Sequence, residues 1–320
     1  DIACSNFAED TAIFGGGANL KLAMDNIRSQ YSPDLIGVAT TCLSETIGDD
    51  VPMFIKAYQK GCQDEELPAL VHVSTPSYQG THMQGFHGAV YALVATLAKP
   101  EAPGEGPSVN LFPGMVSPAD LRQLKTILED FEMSGTLVPD YSDTLDGTAW
   151  DEYQRIPPGG TPVSRISSMG RSRAVIELGV GDVWKRDQTA GALLAQRCGV
   201  PRYPMSLPIG VKATDRLIET LEQLSGRTLP EKHAAERGRL IDALVDAHKY
   251  IFGKRVAIYG EPELVVAIAG MLAEVGAIPR LCATGARTGR LQQAVLEATP
   301  DCPADRAVLE GVDFVEIEQH

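Results

Sequence analysis

The feature that most constrains the fold is an alternation. Short, nearly continuous apolar runs are followed by segments whose apolar residues recur at three- and four-residue spacing. A run of four to eight apolar residues bounded by turn formers reads as a buried strand, and the longer spacing reads as a helix with one apolar stripe. Strands and helices that alternate in this way build β-α units, and hence parallel sheets covered by helices. "PDLIGVATT" (33–41) and "ALVHVSTPS" (69–77) read as strands, and "VPMFIKAYQKG" (51–61) and "GFHGAVYALVATLA" (85–98) as the helices after them. "KPEAPGEGP" (99–107), rich in Pro, Gly and Glu, reads as a linker.

A second unit follows. "SVNLFPG" (108–114) is a strand ending in a Pro-Gly turn. Ser117 is a good N-cap and Pro118 suits the first helical position. Leu121, Leu124, Ile127, Leu128 and Phe131 then form one apolar face. "GTLVPD" and "AVIELG" read as strands, "YSDTLDGTAWDEYQRIPPGGTP" as a loop and "GALLAQRCGVP" as a helix, and 212–253 is helical in pattern. Residues 254–285 read strand, tight turn, helix, strand, as in half of a Rossmann fold, but without G-x-G-x-x-G, so packing rather than a dinucleotide explains them. The expected fold class is α/β, with several Rossmann-like parallel-sheet domains and flanking helices. The expected division is 1–104, an α/β domain; 105–253, a second α/β domain with a helical extension; and 254–320, a third, Rossmann-like domain.

The net charge of −14 argues against nucleic acid and anionic membrane surfaces as partners. Six cysteines are scattered with no C-x-x-C pair, which is neither a disulfide framework nor a self-contained zinc site, and reads as a reduced, cytoplasmic protein. No apolar run is long enough to span a membrane. The chain begins without Met and stops just after an apolar stretch, so a fragment shortened at both ends is expected.

Ligands bind beyond the carboxyl ends of parallel strands. Cys42 follows "LIGVATT" and Ser77 follows "ALVHVSTP". If the two strands are neighbours, thiol and hydroxyl lie side by side. A thiolate suits iron–sulfur clusters or zinc; a lone cysteine after a strand equally serves as a small packed residue, and Ser77 equally suits a turn after Pro76. Gly15-Gly16-Gly17 would present N–H groups to an anion, or simply allow a tight helix start. Phe14 is a candidate for exposed docking or for the core. Glu45 reads as a support for a metal ligand or as a capping acid, and Asp49 and Asp50 as acids at a helix start. His82 and His87, five apart, do not share a helix face, while His233 and His248 read as surface or satisfied core groups. No Walker A motif, Ser/His/Asp pattern or metalloprotease motif is present.

Five separated motifs in order resemble one family: "AEDTAIFGGGANLKLAMDNIRSQYSPDLIGVATTCLSETIGDD", "TPSYQGTHMQGF", "PDYSDTLDG", "PIGVKATDRLI" and "ERGRLIDALVDAHKYIFGKRVAIYGEPELV". The resemblance, which runs nearly end to end, is to the β chain of the nitrogenase molybdenum-iron protein, in the flavour found in anaerobic bacteria. It implies pairing with an α chain in an α2β2 tetramer. It also implies an eight-iron P-cluster (8Fe-7S) held between the chains. That cluster relays electrons from the ATP-dependent iron protein to the iron-molybdenum cofactor, which lies on the α chain only, where dinitrogen becomes ammonia. It further implies that Cys42 is a P-cluster iron ligand, that Ser77 ligates iron in the oxidised state, and that Phe14 lies near the iron-protein docking surface. Residues 1–104 would then be the P-cluster-side domain.

The family's two further P-cluster cysteines of this chain type fall upstream of the match to Asp1, and Cys4 does not sit in their motif. Cys62, Cys198, Cys282 and Cys302 read as packing residues. Besides a plain α/β interaction domain, two alternatives stay open. One is the related scaffold on which the iron-molybdenum cofactor is assembled, which typically reads "TTG" where this chain reads "TTC" and lacks "IGDD". The other is the β chain of a vanadium or iron-only nitrogenase, which tends to read "TTCSSE" or "TTCSTE".

Overall fold

A computed structural model of the protein describes residues 2–5, 15–62, 66–104, 106, 108–154, 158–179, 183–184, 188–303 and 305–319. Among these, three parallel sheets follow one another along the chain. The first pairs β1 (Leu35–Thr40) with β2 (Ala69–Ser74), in register from Leu35 opposite Ala69 to Thr40 opposite Ser74. Helix α1 (Gly17–Tyr31) precedes β1, and α2 (Cys42–Ile47) and α3 (Val51–Gly61) connect the two strands. Met24, Ile36, Val51, Ile55, Tyr58 and Leu70 close a small core between them.

After β2, α4 (His82–Leu97) leads to the second sheet. Thr81 caps this helix, and Gln84 returns the bond to the Thr81 backbone. The second sheet holds β3 (Ser108–Phe112), β4 (Ser134–Leu137), β5 (Ala174–Leu178) and β6 (Arg202–Met205), in the order β4-β3-β5-β6, all parallel. Helix α5 (Pro118–Asp130) starts at Ser117 as its sequence requires, with Asp120 completing the reciprocal cap and Pro118 in the first turn. Short α6 (Val163–Ser167) precedes β5, and α7 (Ala190–Cys198) joins β5 to β6. Helices α8 (Val211–Ser225) and α9 (Glu231–Ile251) follow, separated by Gly226–Pro230.

Alternate side chains of β3 and β5 serve opposite faces, as the two-residue strand period demands. Val109, Leu111, Ile176 and Leu178 meet α5 and α8 through Leu121, Leu124, Leu128, Leu217 and Leu221. Phe112 and Val175 meet α4 and α7 through Val90, Val94, Leu193 and Leu194. The sheet is therefore covered on both faces, which explains why its strands read as continuous apolar runs. Each leucine buried here contributes about 1.5–3 kcal/mol relative to exposure. Asn110, the polar exception within β3, is fully buried and satisfied: its amide donates to the Met169 carbonyl at 2.8 Å and accepts from the Ser172 hydroxyl at 2.9 Å.

The third sheet is β7-β8-β9: β7 (Arg255–Tyr259), β8 (Ile278–Thr284) and β9 (Ala307–Glu310), joined by α10 (Pro262–Glu274) and α11 (Leu291–Ala298), with α12 (Phe314–Glu318) last. The strand–turn–helix–strand reading of 254–285 matches β7-α10-β8. Sequence patterning did not anticipate α2, α6, α11, α12, β6 or β9. Six residues are too few to show helical period, and "RYPM" carries an arginine and a proline that obscure a strand. Among the described residues no helix is long and apolar enough to cross a membrane.

Candidate functional site

Because β1 and β2 are parallel neighbours in register, their carboxyl ends open on the same side. β1 ends at Thr40, Thr41 is the extended N-cap, and Cys42 opens α2. Ser77 lies three residues past the end of β2, after buried Pro76. The two side chains the sequence nominated come together: Cys42 Sγ and Ser77 Oγ stand 2.7 Å apart, and the Ser77 N–H donates to the sulfur at 3.2 Å. Cys42 is half-buried and Ser77 exposed. The Ser77 hydroxyl, and then its backbone N–H, hold the Cys42 thiol below its ordinary pKa. Both donors favour the thiolate, which is the form that binds metal.

Glu45 ties the two strand ends together. Its Oε1 accepts from the Ser74 hydroxyl at 2.6 Å and from the Thr40 hydroxyl. The Thr75 hydroxyl closes the same junction on the Thr40 carbonyl at 2.8 Å. These hydroxyl donors, Ser74 first, keep the Glu45 carboxyl below its ordinary value. Glu45 sits in the first turn of the helix that begins with Cys42, so it fixes that helix against β2.

Asp49 and Asp50 separate in role. Asp50 is the N-cap of α3, accepting from the Met53 N–H at 2.9 Å. Asp49 instead reaches back to α1, where both carboxylate oxygens lie 3.1 Å from the Gly16 N–H. Of the two uses expected for the glycine run, the helix start is the one seen, and the anion it meets is the chain's own carboxylate. Gly15 takes a left-handed φ of 86°, and a Cβ on it would meet Asp49 Oδ1 at 2.9 Å. Phe14, the docking candidate, lies outside the described residues.

The remaining cysteines read as packing residues stand apart from this site. Cys282 is fully buried in β8, and burial pushes its thiol up to about 11. Cys198 lies against α4 and Cys62 beside the small first core. His233 is satisfied by Asp130 at 2.7 Å, and His248 packs against Phe252. Among the described residues no three His, Cys, Asp or Glu side chains form a self-contained metal site.

Sequence reasoning missed one grouping. His87 Nε2 lies 3.0 Å from Glu263 Oε1, and the Trp184 indole N–H donates to the same oxygen. His82 lies 3.4 Å from Glu261. The spacing argument set these histidines aside because they do not share a helix face. His82, however, is the first residue of α4, and both partners come from the start of α10, over 170 positions away. The signal in the sequence was "GEPEL": two acids flanking a proline directly after a strand.

A family description, nitrogenase component 1 type oxidoreductase, matches residues 1–320. The chain is 36% identical over 317 residues to the nitrogenase molybdenum-iron protein beta chain of Clostridium pasteurianum, covering 98% of this chain and 68% of that one. It is also 36% identical over 274 residues to the nitrogenase iron-molybdenum cofactor biosynthesis protein NifN of Bradyrhizobium diazoefficiens, covering 84% of this chain and 57% of that one. A solved structure of nitrogenase Cp1 at pH 6.5 superposes with a TM-score of 0.90 at 36% identity, over 98% of this chain and 68% of that chain.

Proposed function

The chain belongs to the nitrogenase component 1 type oxidoreductase family, and from that premise we propose that it is the β subunit that helps to hold the P-cluster against an α chain in an α2β2 tetramer. The observation that carries this reading is the convergence of Cys42 and Ser77 at the tips of two adjacent parallel strands, 2.7 Å apart.

The donor set fits an iron–sulfur group. Cys42 offers a soft sulfur whose thiol is already acidified by Ser77. Ser77 offers a harder oxygen within reach of the same metal, as a ligand for the oxidised state. Because Cys42 is the one cysteine at these strand ends among the described residues, further thiolates must come from elsewhere, which fits a cluster shared between chains. Cys42 and Ser77 would hold the P-cluster, which would supply electron relay between the ATP-dependent iron protein and the iron-molybdenum cofactor on the α chain, for reduction of dinitrogen to ammonia. Glu45 holds α2, and so Cys42, against the end of β2. Asp49 anchors α1 beside it through Gly16, and α1 follows the segment with Phe14, the proposed contact for the iron protein.

The similarity to a cofactor-biosynthesis protein supports a second reading, a non-catalytic scaffold for assembly of the iron-molybdenum cofactor. The thiol at position 42 favours the relay. The deciding measurement is iron and acid-labile sulfide in the full-length protein, purified without oxygen together with its α chain. Cys42→Ala should lose P-cluster iron while the molybdenum cofactor stays on α, and Cys198→Ala should keep both. Equal iron content in wild type and Cys42→Ala would return Cys42 to a packing role and favour the scaffold.

A further inference from the structure

The two-stranded sheet ends just short of the two residues that it brings together. Thr40 and Ser74 are the last register pair of β1 and β2. Cys42 follows that pair on one strand and Ser77 on the other, beyond the last rung of the ladder. Pro76, between Ser74 and Ser77, has no N–H to extend the pairing. A two-stranded sheet is marginal on its own, and α2, six residues long, is too short to hold itself. The 2.7 Å separation of Cys42 Sγ and Ser77 Oγ therefore needs a cause besides backbone pairing.

Side chains continue the ladder. Glu45 Oε1 accepts from the hydroxyls of both members of the last pair, Ser74 at 2.6 Å and Thr40. The Thr75 hydroxyl adds a bond to the Thr40 carbonyl at 2.8 Å. Glu45 stands three positions after Cys42 in α2, so the two residues are neighbours on that helix. One carboxylate oxygen thus joins the end of β1, the end of β2 and the helix that carries the thiol. Among the described residues the one charge that acts on Glu45 is that of His72, and burial holds this imidazole below its ordinary pKa. No strong cation draws the carboxylate away from its two hydroxyls.

We propose that Glu45 is a positioning residue, which keeps the Ser77 oxygen against the Cys42 sulfur so that both can reach one iron. The iron part rests on the reading of Cys42 and Ser77 as ligands; the positioning part does not.

The test is a double-variant cycle on the full-length chain prepared without iron, with iodoacetamide labelling of Cys42 at neutral pH followed by peptide mass spectrometry. Glu45→Ala should slow labelling about threefold or more, because Ser77 no longer stays in place to favour the thiolate. Glu45→Gln, whose amide oxygen still accepts from both hydroxyls, should label at the wild-type rate. In a Ser77→Ala background, Glu45→Ala should change nothing further, since the two act through one contact. An unchanged rate in Glu45→Ala, or equal slowing with and without Ser77, would overturn the proposal. If Glu45→Ala fails to fold, Ser74→Ala decides: it removes one of the two hydroxyls at an exposed position, and should slow labelling only where Ser77 is present. The ligand reading has its own measurement, a dye-mediated redox titration of the cluster in complex with the α chain, without oxygen. Ser77→Ala and Glu45→Ala should move the oxidised-state midpoint in the same direction, and the double variant no further than Ser77→Ala. A Ser77→Ala midpoint equal to wild type would remove Ser77 as an iron ligand, and with it the iron part of the proposal, while the labelling cycle alone decides the positioning.

Discussion

Glu177→Ala should be among the most damaging single changes outside the apolar core. Glu177 lies in β5 and is 1% exposed. Its carboxylate sits at the N-terminal end of α7, accepting from the Gly191 N–H at 2.7 Å and the Thr189 hydroxyl at 3.1 Å, and it pairs with the Arg202 guanidinium on β6. Thr189 in turn caps α7 through the Ala192 N–H at 3.1 Å and accepts from Arg202 at 3.0 Å. One carboxylate thus satisfies a helix terminus, where negative charge is favoured, and holds the short strand β6 to β5. Removing one partner of a buried ion pair costs about 3–5 kcal/mol, because the other charge loses its compensation. The Arg202 side chain keeps 16% exposure, which places the expected loss near the lower end, about 3 kcal/mol. Glu177→Gln retains an acceptor for Gly191 and loses the charge, for an expected cost of about 1–2 kcal/mol. Against a total stability of about 5–15 kcal/mol, the alanine loss is large. Urea unfolding of the full chain, followed by circular dichroism, should give midpoints in the order wild type, Gln, Ala with an unchanged slope. An alanine variant within about 1 kcal/mol of wild type, or a glutamine variant as unstable as alanine, would refute the ion-pair reasoning.

Other outcomes follow from the same structure. In cluster-free protein, iodoacetamide should label Cys42 before Cys282, since Ser77 acidifies the first thiol and burial pushes the second up to about 11; Ser77→Ala should move the Cys42 labelling profile to higher pH, and an unmoved profile would contradict the hydroxyl's part. Asp50→Ala should cost about 1 kcal/mol by removing the α3 cap, with Asp50→Asn recovering most of it in thermal unfolding. Burial, the largest influence on Glu263, pulls its carboxyl up, but His87 and Trp184 more than offset it and the net direction is downward. A depressed carboxyl stabilises above its unfolded pKa of about 4.3 and loses that contribution as pH falls through the lower folded value. The stability difference between wild type and Glu263→Gln should therefore be full at neutral pH and shrink below about pH 4; a difference constant through the acid range would count against the ionised carboxylate.

Much of the architecture could be read locally. The apolar runs at 33–41, 69–77 and 108–114 contain strands, and Ser117-Pro118 starts a helix, because strand period, helix period and capping are settled within a few residues. The same rules placed Cys42 and Ser77 each at the end of a strand. Only the tertiary structure decided that β1 and β2 pair in register, which brings two side chains 35 positions apart to 2.7 Å. It also decided that β5 lies beside β3 rather than β4, that Asp49 serves Gly16, and that the start of α10 meets α4 at His82 and His87. Strand β6 escaped notice because its Arg202 is matched by a glutamate in another strand, a contact the local pattern does not show. The division has one physical cause. Backbone periodicity and caps draw on neighbours along the chain, whereas pairing order and buried polar contacts draw on whichever distant surfaces exclude water together, and those exist only once the sheets have closed.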